Sequence, residues 1–203
     1  MPNDAIFTES GESLRYLRML SRQFPSVEAA ATEIIRLQAY LNLPKGTEHF
    51  MSDLHGEHEA FLHILNNASG AIKEKVDILF SNTLSARERA VLATLIYYTE
   101  AKLKEIKEET PPAEMAEWYK ITLNRLMEVC RLVASKYTRS KVRAALPAGY
   151  EDIIDELLHT NYDALNKEQY YENIISTIID IDRADEFIIA VSNTIKKLVV
   201  DRL

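Results

Sequence analysis

Apolar residues recur at helical spacing along almost the whole chain, and one stretch breaks the rhythm. Leu14, Leu17, Leu20 and Phe24 predict a first helix over about residues 12–23, after which Pro25-Ser26 punctuates and Ser26 fits an N-cap. Val27, Ala30, Ala31, Ile34, Leu37 (or Gln38) and Leu41 follow the i, i+3, i+4, i+7 template and predict a second helix with that face inward. Asn42-Leu43-Pro44-Lys45-Gly46 ends it. Thr47–Ser52 is the one convincing strand, rich in Thr and Phe and bounded by turn residues. After Gly56 the helical pattern returns through about Asn67, with Phe61, Leu62 and Leu65 facing inward, and Asn66-Asn67-Ala68-Ser69-Gly70 closes it.

The rest reads as helix almost throughout. Ser85-Ala86-Arg87-Glu88 is a capping box, in which serine and glutamate satisfy each other's orphan backbone donors. It opens a long helix with Leu92, Leu95, Ile96, Leu103 and Ile106 on one stripe. Thr110-Pro111 reads as an N-cap followed by proline at N1, where the missing N–H costs nothing. The helix behind it carries Met115, Trp118, Tyr119, Leu126, Val129, Cys130 and Val133. A shorter one places Tyr150, Ile153, Ile154, Leu157 and Leu158 inward. Two more bury Tyr171, Ile174, Ile175 and Ile178, then Phe187, Ile188, Val191, Ile195 and Leu198. The expected fold is therefore mainly α, a helical bundle with one short strand or a very small sheet.

Composition narrows the classes. The 203 residues leave room for one or two domains, and 47% apolar with 27% charged residues reads as soluble and globular. A net charge of −7 and the lack of a dense Lys/Arg stripe argue against a nucleic-acid partner. One cysteine, Cys130, excludes an internal disulfide framework and favours a reducing, cytoplasmic setting. The apolar run Phe187–Val191 is far too short to cross a bilayer, so no membrane partner is expected.

Candidate chemistry concentrates at the broken rhythm, Phe50-Met51-Ser52-Asp53-Leu54-His55-Gly56-Glu57. In extended backbone, side chains at i and i+2 point to the same side, so Asp53 and His55 can converge on one divalent ion. A carboxylate beside an imidazole suits Mn²⁺, Fe or Zn²⁺ better than Ca²⁺. Asp-x-His alone is a weak pattern, and a chance pairing explains it as well as a metal site does. Gly56 suits a sharp turn. His58 and His63 are five apart, about 140° round a helix, so they cannot chelate one ion together. His63 reads as structural, His58 as a neighbour of the site, His49 as packed beneath it, and His159 as a helix C-terminal residue. Cys130 in an apolar stripe is inert. Asp180, Asp182, Asp185 and Glu186 read as a solvated or capping cluster.

The run Lys45–Phe61, with Ala93–Tyr98, Ile153–Leu158 and Arg183–Ile188, resembles the class III fructose-1,6-bisphosphatases, which are calcineurin-like metallophosphoesterases. The likeness extends along nearly the whole chain. It implies a binuclear Mn²⁺ centre that removes the 1-phosphate of fructose 1,6-bisphosphate in gluconeogenesis, a sugar bisphosphate as small-molecule partner, and a homo-oligomer. Asp53 and His55 would be catalytic-site ligands of the first metal. Residues 1–70 would hold the N-terminal helices, first strand and metal motif of a layered α/β/β/α core, and 71–203 a helical insertion. The second metal motif, of the type Gly-Asp-x-x-Asp-Arg-Gly, is expected just after Val199–Leu203 and is absent. The chain is accordingly expected to be the N-terminal portion of a longer enzyme, and inactive alone. The alternatives are a non-catalytic helical assembly module and a metallophosphatase for another phosphate ester.

Overall fold

The computed structural model describes residues 11–44, 50, 53, 55–159 and 167–200. The expected strand over Thr47–Ser52 lies outside the described residues except for Phe50, which has no regular structure. Among the described residues the fold is all helix, as the periodicity predicts. Packing divides the chain into two units, Met1–Leu43 and Pro44–Leu203.

The first unit contains α1 (Gly11–Gln23) and α2 (Val27–Tyr40). Ser26 caps α2 as expected, its Oγ accepting the Ala29 N–H at 3.1 Å. The inward face expected for α2 does not form. None of its residues is buried, and Val27 remains 81% exposed and Leu41, just past its end, 78%. Two short helices offer too few neighbours to enclose an apolar stripe.

The second unit holds α3 (His58–Asn67), a 3₁₀ turn at Ala68–Gly70, α4 (Ala71–Phe80), α5 (Ala86–Tyr97), α6 (Thr99–Glu109), α7 (Pro112–Ala134), α8 (Arg139–Ala145), α9 (Glu151–Leu158), α10 (Glu168–Asp180) and α11 (Ala184–Val200). Helix α11 is central, packed chiefly along α7 and also against α5 and α6. Its face Phe187, Ile188, Val191, Ile195 and Leu198 is buried in full, as its spacing predicts. Leu123, Leu126 and Val129 of α7, Leu95 and Ile96 of α5, and Ile154 of α9 complete the same core. Cys130 is enclosed here, and burial pushes its thiol up to about 12, so no thiolate forms at neutral pH.

Several boundaries differ from the periodic reading. The capping box opens α5 as expected, Ser85 N–H donating to Glu88 Oε2 at 2.8 Å and Glu88 N–H to Ser85 Oγ at 3.3 Å. The single long helix expected after it breaks at Tyr98 (φ −126°, ψ 57°). That break leaves the Tyr97 hydroxyl accepting the Lys73 N–H at 3.1 Å. Thr110 caps the end of α6, so Pro111 is the N-cap of α7 and Pro112 its first residue. Helix α3 buries none of Phe61, Leu62 and Leu65 fully, because it packs at the margin of the core.

The acidic cluster also needs revision. Asp185 is not merely solvated: its carboxylate accepts from Lys107 Nζ and from the Tyr119 hydroxyl, each at 2.6 Å, joining α6, α7 and α11. Desolvation raises its carboxyl, but the bonds from Lys107 and Tyr119 outweigh that and hold it below its ordinary value. A carboxyl lowered in the folded state stabilises the fold above its unfolded pKa, about 3.9, and loses that contribution as pH falls through the folded value. Asp185→Asn is therefore expected to lower the melting temperature at neutral pH. Melting curves of both proteins taken at falling pH should converge below about pH 4; a constant gap would contradict the assignment.

Candidate functional site

Asp53 and His55 stand just before α3, on the chain that enters it. Their side chains meet, His55 Nε2 contacting Asp53 Oδ2, and both are well exposed, 77% and 69% respectively. The convergence expected from the sequence is present, but an extended backbone does not produce it at His55. His55 has φ +46° and Gly56 φ +75°, two successive residues in the left-handed region. Histidine is among the few non-glycine types enriched there, and such conformations persist where the surroundings enforce them. A Cβ at Gly56 would meet nothing within 4 Å, so glycine is required there by its φ and not by crowding. The turn ends as His58 N–H donates to Gly56 O at 2.8 Å and Phe61 N–H to Glu57 O at 3.0 Å, which starts α3.

Two of the other histidines make contacts that match their structural readings. His63 Nδ1 hydrogen-bonds the Tyr98 hydroxyl, and the two rings stack with centroids 6.0 Å apart and planes 11° from parallel. It ties α3 to the end of α5. The contact accompanies the helix break at Tyr98, which nothing in the local pattern announces. His159 caps the C-terminus of α9, its Nδ1 2.7 Å from the Asp155 carbonyl. His58 is the first residue of α3, and His49 lies outside the described residues.

Chemically, the pair offers one hard oxygen and one imidazole nitrogen aimed at a common point. That donor set fits Mn²⁺, Fe or Zn²⁺. The two atoms that contact each other, Asp53 Oδ2 and His55 Nε2, are the two that would face a shared ion. Among the described residues no group of three or more His, Cys, Asp or Glu side chains is placed to hold a metal ion. The donor types of Asp53 and His55 suit part of a metal's ligand set, and would need further donors to complete it.

Residues 15–203 match the family described as Firmicute fructose-1,6-bisphosphatase. The chain is 57% identical over 192 residues to a fructose-1,6-bisphosphatase class 3 of Clostridium novyi (strain NT), a match covering 95% of this chain and 29% of that protein. It is 58% identical over 192 residues to the fructose-1,6-bisphosphatase class 3 of Clostridium botulinum (strain Loch Maree / Type A3), covering 95% of this chain and 28% of that one. The chain thus spans under a third of the length of the curated relatives it matches. No solved structure matches it.

Proposed function

Because this chain belongs to the Firmicute fructose-1,6-bisphosphatase family, we propose that it forms part of a protein that removes the 1-phosphate of fructose 1,6-bisphosphate, with Asp53 and His55 holding Mn²⁺. The observation that carries this reading is the meeting of Asp53 Oδ2 and His55 Nε2 on a left-handed turn within the matched region. Asp53 and His55 would hold Mn²⁺, which would supply Lewis acidity toward phosphoryl oxygens. The chain's own residues do the rest of what they can. Asp53 would bring the negative charge that concentrates the cation, and His55 would add an imidazole nitrogen from a turn whose backbone is left-handed. Gly56 keeps the backbone open beside them. Gluconeogenesis and a cytoplasmic location belong to the same reading. No helix among the described residues is long and apolar enough to cross a membrane.

Two ligands do not hold a binuclear centre, so this chain alone is expected to release no phosphate from fructose 1,6-bisphosphate in Mn²⁺. A full-length protein carrying the same segment is expected to be active. Phosphate release, assayed for both side by side, checks this; robust turnover by the pure chain would sink the shared-site reading.

The exposed apolar faces of α1 and α2 favour a second role, as an assembly element contacting other copies or subunits. Light scattering on the purified chain tests it. A homo-oligomer is expected, and a monodisperse monomer at all concentrations would count against it.

A further inference from the structure

A cavity of about 240 Å³ opens between the C-terminal end of α7, α8 and the C-terminal end of α9, and neither Asp53 nor His55 lines it. Arg131, Tyr137, Arg139, Leu158 and His159 line it, together with Val142. Arg131 is part-buried. Its Nε donates to Leu158 O at 3.1 Å and its Nη2 to Leu157 O at 3.0 Å, capping α9. These two bonds to carbonyls use part of a five-donor guanidinium, and no ion pair of Arg131 is found among the described residues. Arg139 and Arg143, one helical turn apart on α8, share a single partner, Asp155 Oδ2, at 4.0 and 3.7 Å. His159 Nδ1 stands 3.4 Å from the other oxygen of the same carboxylate. Glu128, on α7, lines the neighbouring cavity, into which Arg131 also reaches.

Arg139 and Arg143 therefore share the Asp155 carboxylate, while Arg131 lines the same cavity as Arg139 with no carboxylate of its own among the described residues, in a chain whose net charge is −7. A part-buried cation without a charged partner is unfavourable unless an anion completes it. The walls offered by Tyr137, Val142 and Leu158 are apolar. The cavity is small for a ligand site, and excludes anything the size of a nucleotide. We propose that it binds a compact organic anion, a phosphate or carboxylate head held by Arg131 and Arg139 with a small apolar body against Tyr137, Val142 and Leu158. The site is independent of the metal-site reading, since none of its elements carries Asp53 or His55.

The test uses this chain and three matched probes, phenyl phosphate, benzoate and phenol, followed by ¹H–¹⁵N NMR. Saturable shifts at Arg131, Arg139 and His159 with either anion, and none with phenol, are expected; the stronger anion identifies the head group. Arg139→Gln, at an exposed position that leaves the α9 cap intact, should weaken binding by about tenfold, as loss of a charge-assisted contact does. Equal responses to phenol and to the anions, no saturable shift at these residues, or unchanged binding in a folded Arg139→Gln protein would each overturn the proposal.

Discussion

Asp53→Asn, introduced into a full-length protein carrying this segment, is expected to lower Mn²⁺-dependent release of phosphate from fructose 1,6-bisphosphate by more than about 100-fold. The substitution keeps the size of the side chain and one oxygen, and removes the charge. Loss of a residue that merely orients a ligand costs about 10–100-fold in metal affinity or activity, so loss of a ligand's charge should exceed that. The melting temperature should hardly move, because Asp53 lies outside the core and its side chain is largely exposed. The paired readout separates the site from the scaffold: a fall in activity together with a large fall in stability would point to a structural role instead.

Phe187→Ala is expected to destabilise the helical unit by about 3–5 kcal/mol, the range found for emptying a buried aromatic position. Phe187 has no exposed surface, and the Tyr150 ring meets it edge-on with centroids 5.3 Å apart. It sits near the start of α11, the helix that contacts α5, α6 and α7 together. Urea unfolding followed by circular dichroism measures the effect. A loss below about 1 kcal/mol would mean that the core collapses onto the gap more freely than its packing suggests.

Where each element could be read from the sequence follows from how local its cause is. The buried face of α11 was legible because every residue that defines it repeats at helical spacing within one helix. The cap at Ser26 and the capping box at Ser85 are equally local, each closed within three residues. The break at Tyr98 was not legible. No glycine or proline marks it, and it is accompanied by contacts to Lys73 and His63, on other helices. Helix α8 escaped notice because it is short and buries only Val142. Two adjacent prolines, Pro111 and Pro112, made the start of α7 ambiguous by one residue, and the second proved to be N1.

Periodicity also overstated burial at α2. Spacing shows that a helix has an apolar face, but not that a partner covers it. The site shows the same division. Residue type and separation pointed to Asp53 and His55 as a candidate pair, and the glycine after them hinted at a turn. The left-handed φ of His55 itself depends on how the chain enters α3 and has no signature of its own. The Asp185 clamp was beyond reach, because Lys107 and Tyr119 lie 78 and 66 residues away along the chain.

Asp53 and His55 are proposed to act as one ligand pair, and Mn²⁺ reports on that directly through paramagnetic broadening. Titrating substoichiometric Mn²⁺ into isotope-labelled chain should broaden the His55 ring signals before those of His49, His58, His63 and His159. Asp53→Asn should abolish that preference. Broadening centred on another histidine, or unaffected by Asp53→Asn, would contradict the assignment of the metal site.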